Sequence, residues 1–391
     1  MTTLHPGSPA PSAGPGSVSG PSTPSASPTT LDDLARRARA LLTPETWDWL
    51  DGGAERERAL AGNLSAFEGI TVLPRVLRDA SACDTAGPLV HSSASLPAAV
   101  APIAYHRLFH PEGEQAVARA AAAAGLPFTI STLSSTALED IAATGATTWF
   151  QLYWLKDRTT VLDLVRRAEH IGCEALVLTV DVPVMGRRLR DIRHGFALPD
   201  AIRAVNLNQG AASRAHRKTA HGSAIAAHTA DVFAPSITWQ DVAWLRDHTD
   251  LPLIIKGILH PDDAVRAAEL GAAAVVVSNH GGRQLDLAAP SVLALPAVVE
   301  ALDRLQGHQC RVLLDSGVRS GSDVLTALAL GASGVLLGRP VMWGLAADGE
   351  EGCSQVFSLL QQELRHAMIL AGCPNLAAAT ELQTTTVPWT R

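Results

Sequence analysis

The sequence lacks long apolar runs, an excess of basic residues and paired cysteines. No apolar run in the 391 residues reaches the roughly 18 uncharged residues that a membrane-spanning helix needs, so we expect no membrane partner. The formal net charge of −7 argues against nucleic acid as a partner. The five cysteines form no CxxC pair and no metal-ligand spacing. We therefore expect a cytoplasmic protein with reduced thiols and no metal site.

The first 30 residues also lack what a folded segment needs. They are almost entirely Pro, Ser, Gly, Ala and Thr, without Lys or Arg and without an apolar core segment. This composition predicts a disordered tail rather than a secretory signal. We expect residues 31–391 to form a single domain, because α/β barrels commonly exceed about 250 residues as one unit.

From residue 96 onward, the chain has a regular alternation of apolar strand-like runs and helical stretches. The runs predict eight strands, at residues 98–104, 127–131, 148–153, 175–181, 253–256, 273–278, 312–315 and 334–338. Eight βα units in series predict an α/β fold of the (β/α)8 TIM-barrel type. A doubly wound sheet is the alternative, but eight regular units favour closure.

The segments outside this alternation are predicted separately. Helical spacing and start signals predict an N-terminal helical element, with one helix beginning at Leu31 and another at residues 44–50, followed by an irregular stretch to about residue 95. The long loop after the fourth strand, residues 182–236, is interpreted as a lid or mobile loop, with a disordered insertion without a role as the alternative. Apolar residues at helical spacing predict a closing helix at 356–371.

Polar residues are concentrated where the predicted strands end, which in a TIM barrel is the catalytic rim. His280 and Arg283 flank Gly281-Gly282 after the sixth strand, and we interpret the glycines as allowing close approach of a flat ligand. Lys256, at the end of the fifth strand, is a Schiff-base nucleophile, a cation beside an electron-accepting cofactor or a salt-bridge partner. Asp181 ends the fourth strand, where a carboxylate usually orients a His or Arg.

The turns after the last two strands predict a phosphate site. Residues 315–321 and 338–340 each lead into the start of a helix. TIM barrels often hold a phosphate at this place, on backbone N–H groups and a helix dipole. Arg319 and Arg339 would complement its charge. Tight turns with surface arginines are the alternative for either turn alone.

The motif SNHGGRQLD at residues 278–286 resembles the signature of the FMN-dependent 2-hydroxy-acid oxidases, the family of glycolate, lactate and mandelate oxidases. The resemblance covers residues 31–371 and includes APIA at 101–104, HPEGE at 110–114, QLY at 151–153, TVDVP at 179–183, GRR at 186–188 and LGA at 330–332. Members of the 4-hydroxymandelate oxidase type are the most similar, through YHRLFH at 105–110 and PVMW at 340–343.

This resemblance implies FMN as the cofactor and assigns roles to individual residues. His280 is implied to be the general base, and Asp181 to orient and stabilise it. Tyr153 is implied to hydrogen-bond the substrate, and Lys256 to stabilise the reduced flavin. The residues implied to bind the substrate are Arg188, Arg283, Tyr153, Trp49, Leu133 and Met185. Those implied to hold the flavin ring are Ile103, Ala104, Ser131, Gln151, Thr179, Lys256 and Ser278, and those implied to hold its phosphate are Asp315, Gly317, Arg319, Gly338 and Arg339.

Departures from the glycolate-type pattern favour an aromatic substrate. Trp49 stands where those members usually have a tyrosine that donates to the substrate carboxylate, and Leu133 stands where they have a tryptophan. With Met185 nearby, the pocket suits an aromatic or bulky 2-hydroxy acid such as mandelate or 4-hydroxymandelate. Ala104, where some dehydrogenases carry glycine, favours O2 as the acceptor and H2O2 as a product.

Several alternatives stay open at this point. One is a dehydrogenase that passes electrons to a quinone or protein, and another is an oxidase of an aliphatic 2-hydroxy acid such as lactate. A flavin-binding protein without catalysis and a Schiff-base lyase built on Lys256 are the remaining ones. The resemblance also suggests a homotetramer.

Overall fold

The structure, a computed structural model, describes residues 1–3, 27–207, 215–216 and 223–386, and eight parallel strands close into a barrel within them. In chain order, strands 1 to 8 are Ala98–Val100, Phe128–Ser131, Thr148–Tyr153, Ala175–Thr179, Leu253–Ile258, Ala274–Val277, Arg311–Leu314 and Gly334–Leu337. Strand 8 pairs with strand 1, with Val335 opposite Ala98, so the sheet has no free edge. The predicted TIM barrel is confirmed, and the doubly wound alternative is wrong.

The strand sequences explain why the barrel is buried on both sides. Every residue of strands 4 and 6 is buried, as expected for parallel strands with helices on one face and packed side chains on the other. Strand 1 ends at Val100, earlier than predicted, and residues 101–104 form a rim loop. Pro102 lies in that loop, and it has no N–H to donate to a strand ladder.

Strand 5 is longer than predicted, because it continues past Lys256 to Ile258 through an irregularity in its pairing with strand 6. Gly257 lies at this bulge with a φ of +112°. A Cβ atom on Gly257 would lie 2.6 Å from the Cβ of Asp181. The bulge and the glycine together let the Asp181 side chain pass close to strand 5.

Helices cover the outside of the barrel. They are Gly113–Ala123, Leu138–Ala142, Arg158–His170, Trp239–Arg246, Pro261–Glu269, Ser291–Asp303, Gly321–Ala329 and Arg339–Leu370. Buried residues recur at helical spacing, as at Val161, Leu164, Val165 and Ala168. The helix Arg339–Leu370 is interrupted at Asp348 and Gly349, and its second half contains most of the predicted closing helix.

Three helices precede the barrel where two were predicted. Leu31–Leu41 and Pro44–Asp51 match the prediction, and the Thr30 and Thr43 side chains cap their N-termini. The helix Arg58–Glu68 lies in the stretch predicted to be irregular, so that part of the prediction was wrong. Its N-cap, Glu57, makes no side-chain cap, so the usual start signal is missing, and the polar Asn63 interrupts the apolar positions of its buried face, Ala59, Ala66 and Phe67.

Short strands and a C-terminal helix complete the described chain. Ile70–Val72 pairs with Thr384–Thr386 and Gly87–Pro88 pairs with Ser93–Ala94, both antiparallel. Along the chain, the helix Leu376–Thr380 comes after the helix Arg339–Leu370 and before the last strand. None of the helices in the described ranges has an apolar stretch long enough to cross a lipid bilayer.

The connection after strand 4 is partly helical at both of its described ends. Leu189–His194 and Ala224–Val232 are helices, so the description of this segment as one loop was too simple. Its second end is held to the chain after strand 3, because Lys156 N donates to Val232 O at 3.0 Å and Ala234 N donates to Trp154 O at 2.9 Å. Residues 208–214 and 217–222, and residues 4–26 of the predicted tail, lie outside the described residues.

Candidate active site

A cavity with an empty volume of about 1040 Å³, open to solvent, lies among the loops that follow the barrel strands. Most of the predicted site residues line it: Trp49, Ile103, Ala104, Leu133, Tyr153, Met185, Arg188, Lys256, His280, Arg283, Asp315, Gly317, Arg319, Gly338 and Arg339. They come from nearly every strand end and from the N-terminal helices. The fold therefore brings together in one place residues that are up to 290 positions apart, since Trp49 and Arg339 line the same cavity.

The other predicted residues lie behind this lining and hydrogen-bond to one another or to it. Ser131 Oγ donates to Gln151 Oε1 at 3.3 Å, and Gln151 Nε2 donates to Thr179 Oγ1 at 3.1 Å. Ser278 Oγ accepts from Lys256 Nζ at 2.9 Å and from the backbone N of His280 at 3.0 Å. All four side chains are buried, and their contact with a cofactor ring stays a prediction.

His280 and Asp181 form a hydrogen-bonded pair at the cavity. His280 Nδ1 lies 2.9 Å from Asp181 Oδ1. Burial lowers the pKa of His280 below its ordinary value, although the Asp181 carboxylate works in the opposite direction. Burial alone would raise the pKa of Asp181, but His280 and Lys256 lower it overall. With Asp181 ionised, Nδ1 carries the proton, and Nε2 of the neutral ring is free to accept one.

Lys256 is held as an ammonium ion. Its Nζ lies 2.8 Å from Asp315 Oδ2, and the side chains of Lys256 and Asp315 are 5% and 9% exposed. Burial opposes the charge, but Asp315 and Asp181 raise the pKa of Lys256 overall. A Schiff-base nucleophile needs a lowered pKa, so this environment argues against the lyase alternative. A buried ammonium ion suits the stabilisation of negative charge on a neighbouring group instead.

Arg188 and Arg283 are cations with donors left to offer. Arg188 is 8% exposed, and its Nη2 lies 3.3 Å from Met185 Sδ. Among the described residues, its Nε has no hydrogen-bond partner. Arg283 donates to the carbonyl oxygens of Leu50, Gly52 and Trp49 at 2.7–3.1 Å. A guanidinium has five N–H donors, so each of the two retains donors for an anionic ligand. Burial lowers the pKa of both groups, so a bound anion would favour their charged forms.

Arg319 and Arg339 lie at the predicted phosphate turns. Arg339 donates to Leu50 O, Gly52 O and Gly281 O, and burial lowers its pKa to about 10. Arg319 donates to Val318 O at 2.8 Å and its Cζ lies 4.9 Å from the Trp343 ring centre. In the described ranges, neither guanidinium forms an ion pair with a carboxylate. Asp51 lies near enough to raise the pKa of both arginines, but burial lowers it overall, and two enclosed cations without a carboxylate in direct contact fit a phosphate group.

Packing inside the protein restricts the two glycines beside His280. A Cβ atom on Gly282 would lie 2.4 Å from Leu60 N, and one on Gly281 would lie 2.8 Å from Arg339 Nη1. Both glycines also have positive φ angles. The helix Arg58–Glu68 and Arg339 thus leave no room for side chains at these positions, and Gly281 also lines the cavity, so the close approach of a flat ligand stays a prediction.

Tyr105, Ile225 and Phe233 are among the lining residues that were not assigned to the site from the sequence. The Phe233 ring stacks on Tyr153, with ring centres 4.4 Å apart. Ile225 and Phe233 belong to the connection after strand 4, whose path no sequence pattern specified. Tyr105 directly follows the predicted Ala104, so its position at a strand end was the one available signal. Its hydroxyl is buried and has no hydrogen-bond partner within the part of the chain that the structure describes.

The site thus combines a neutral imidazole backed by a carboxylate, two guanidinium groups with free donors and apolar walls. Such a set can bind a carboxylate, orient the neighbouring carbon and remove a proton. It cannot accept electrons by itself, whereas the ammonium of Lys256 and the two enclosed arginines fit an anionic, phosphate-bearing redox cofactor.

Comparison with known proteins is consistent with this chemistry. A sequence profile of the family described as FMN-dependent dehydrogenase matches residues 38–385. The chain is 56% identical to a 4-hydroxymandelate oxidase of Amycolatopsis orientalis, over 90% of this chain and 97% of the relative. It is 45% identical to an L-lactate oxidase of a Nostoc species, over 90% of this chain and 96% of the relative. A crystal structure of mandelate oxidase with (S)-4-hydroxymandelic acid matches with a TM-score of 0.89 and 55% identity, over 92% of this chain and 99% of that chain.

Proposed function

The chain belongs to the FMN-dependent dehydrogenase family, and on that premise we propose that it oxidises aromatic 2-hydroxy acids of the mandelate or 4-hydroxymandelate type. It is an FMN-dependent 2-hydroxy-acid oxidase, with a 2-oxo acid and H2O2 as products. The observation that carries the proposal is the pairing of His280 with Asp181 beside Arg188 and Arg283 in one cavity.

The cofactor site is proposed from the charges around the cavity. Arg319 and Arg339, with the backbone at Gly317 and Gly338, would hold the FMN phosphate. Lys256 would lie beside the flavin ring, where its ammonium group favours negative charge. The carboxylate of Asp315 is paired with Lys256 and accepts from Ser316 Oγ at 2.7 Å. We therefore expect Asp315 to act through Lys256, since a carboxylate would repel a phosphate.

The chain's own residues supply the binding and proton-transfer steps. Arg188 and Arg283 bind the substrate carboxylate and thereby place the hydroxyl-bearing carbon next to His280. His280 Nε2 accepts a proton from the substrate, and Asp181 stabilises the resulting imidazolium. Tyr153 donates a hydrogen bond to the developing carbonyl, and burial raises its pKa to about 12, so its hydroxyl stays protonated. FMN, when bound, would take up the two electrons and the second hydrogen that the alcohol loses on becoming a ketone.

The walls of the cavity favour an aromatic side chain over a methyl group or hydrogen. Leu133 and Met185 lie on the cavity with Phe233, and the Trp49 ring lies under Arg283, with its centre 5.5 Å from Arg283 Cζ. This apolar part of the lining suits burial of a phenyl ring. Oxidation of an aliphatic acid such as lactate is the second candidate, because a lactate oxidase is among the relatives.

Anaerobic bleaching of the purified holoenzyme tests the proposal. (S)-4-Hydroxymandelate and (S)-mandelate should remove the yellow colour of oxidised flavin faster than (S)-lactate or glycolate. Admission of air should then restore the colour and yield one H2O2 per 2-oxo acid. Faster bleaching by lactate would contradict the aromatic assignment. Slow recolouring in air, accelerated by a quinone, would contradict O2 as the acceptor.

The organisation of the whole protein is part of the proposal. We expect residues 31–391 to act as a single FMN-binding domain, in a cytoplasmic homotetramer. Light scattering of the holoenzyme measures the tetramer, and fractionation of the source cells measures the location. A single calorimetric unfolding transition is expected for a single domain.

A further inference from the structure

The segment that begins after strand 4 carries three of the proposed functional side chains, Asp181, Met185 and Arg188. The loop after strand 6 carries His280 and Arg283. These two loops have to keep a fixed spacing, because the base lies on one and its carboxylate partner on the other. Arg188 lies on the first loop and Arg283 on the second, although both are proposed to bind the same carboxylate.

Gln284 joins the two loops through its side-chain amide. Its Oε1 accepts from Gly186 N at 3.0 Å, and its Nε2 donates to Asp181 O at 3.0 Å and to Val184 O at 2.9 Å. Three main-chain groups in a span of six residues are thus bonded to one side chain. A Cβ atom on Gly186 would lie 2.2 Å from Arg283 O, so the loops also touch through their backbones at this point.

We propose that Gln284 is a positioning residue, whose amide fixes the loop of Asp181 and Arg188 against the loop of His280 and Arg283. This inference rests on the proposed function. The amide side chain is suited to the task, since it offers an acceptor to an N–H and donors to two carbonyls at once. A loop that carries catalytic groups needs such support to hold them within a fraction of an ångström.

The test compares Gln284→Met with the wild-type holoenzyme. Methionine keeps the length of the side chain and removes all three hydrogen bonds. The control is Val184→Ala, because Val184 is 66% exposed and the substitution keeps its backbone carbonyl. We expect Gln284→Met to retain FMN, to be reduced by (S)-mandelate at least tenfold more slowly, and to bind phenylacetate at least fivefold more weakly in isothermal titration calorimetry. Phenylacetate has a carboxylate but no hydroxyl to oxidise.

A merely structural Gln284 would give a different result. The variant would then melt at a lower temperature but keep the reduction rate and the phenylacetate affinity of Val184→Ala, and this outcome overturns the proposal. Should Gln284→Met fail to fold, Gln284→Glu decides by the same two measurements, because it keeps the acceptor and loses both donors. If no 2-hydroxy acid bleaches the wild type, the proposed function fails, while the phenylacetate affinities still decide the role of Gln284.

Discussion

At the scale of single residues, the chemistry depends on how the environment divides protons among a few groups. His280 is kept neutral by burial, whereas Lys256 is kept charged by Asp315 and Asp181. The same cavity therefore holds a neutral base, His280, and a permanently protonated amine, Lys256, near the ends of two neighbouring strands. This division is what a proton-removing step next to an electron acceptor requires.

Replacement of His280 by Asn separates proton transfer from cofactor binding. His280 has a φ of +58°, which Asn tolerates better than most residues. We expect His280→Asn to retain FMN and to be reduced by (S)-mandelate about 10²–10⁴-fold more slowly, the usual contribution of a general base. Stopped-flow absorbance under anaerobic conditions measures the rate. Reduction at the wild-type rate would remove His280 from the mechanism.

The pH dependence of flavin reduction follows from the same residue. The base must be unprotonated, and burial lowers the pKa of His280 below its ordinary value of 6.5. The rate should therefore be constant at neutral pH and fall only as the pH drops below that lowered pKa. Asp181 raises the pKa of His280, so Asp181→Asn should move the acid limb to still lower pH and reduce the plateau rate. An acid limb above pH 7 in the wild type would contradict this assignment.

At the scale of secondary-structure elements, the signature loop supports the N-terminal helices as well as the chemistry. Asp286 accepts from Arg56 N at 3.1 Å and Ala59 N at 3.2 Å, at the start of the helix Arg58–Glu68. Asn279 and Asn63 exchange side-chain amide hydrogen bonds of 2.7 and 2.8 Å. The motif around His280 therefore carries both the reacting groups and their structural anchors.

Removal of the Asp286 carboxylate tests this anchoring. It leaves two backbone N–H groups at the start of the helix without their acceptor, because Glu57 provides no side-chain cap. We expect Asp286→Ala to lower the free energy of unfolding by about 1–2 kcal/mol, the usual cost of a lost N-terminal cap. Urea denaturation measures it. Asp303→Ala, at an exposed helix end, is the matched control and should change the value by less than about 0.5 kcal/mol.

The elements that could be predicted from the sequence are those whose signal is local. Buried parallel strands are continuous apolar runs, so His280 could be placed just after a strand and Lys256 within two residues of a strand end, where a TIM barrel has its active site. The helix Arg58–Glu68 could not, because its buried face is shaped by contact with the signature loop. Phe233 could not either, since its place over Tyr153 depends on the path of a long connection. The bulge at Gly257 depends on Asp181, which is 76 positions away.

At the scale of the whole molecule, the arginines that would bind the cofactor lower the stability of the fold when no cofactor is bound. Four guanidinium groups, those of Arg188, Arg283, Arg319 and Arg339, line one cavity. Burial lowers the pKa of each, which means that the folded chain bears a cost for keeping them charged. Binding of an anionic cofactor offsets that cost. Free FMN at about 100 times its Kd would stabilise the fold by about 2.7 kcal/mol.

Arg319→Met should therefore change the two forms of the protein in opposite directions. Without FMN, the variant should melt at the same temperature as the wild type or higher, because an enclosed cation is replaced by an apolar chain that can still pack on Trp343. With FMN, it should melt lower and bind FMN at least tenfold more weakly, since one phosphate contact is lost. Thermal melts of apo- and holoprotein measure both effects.

Arg304→Met, at a side chain that is 75% exposed, is the control and should change neither melting temperature. A variant that destabilises the apoprotein but leaves FMN affinity unchanged would show that Arg319 serves packing alone, and the phosphate would then have to be held by Arg339 and the backbone.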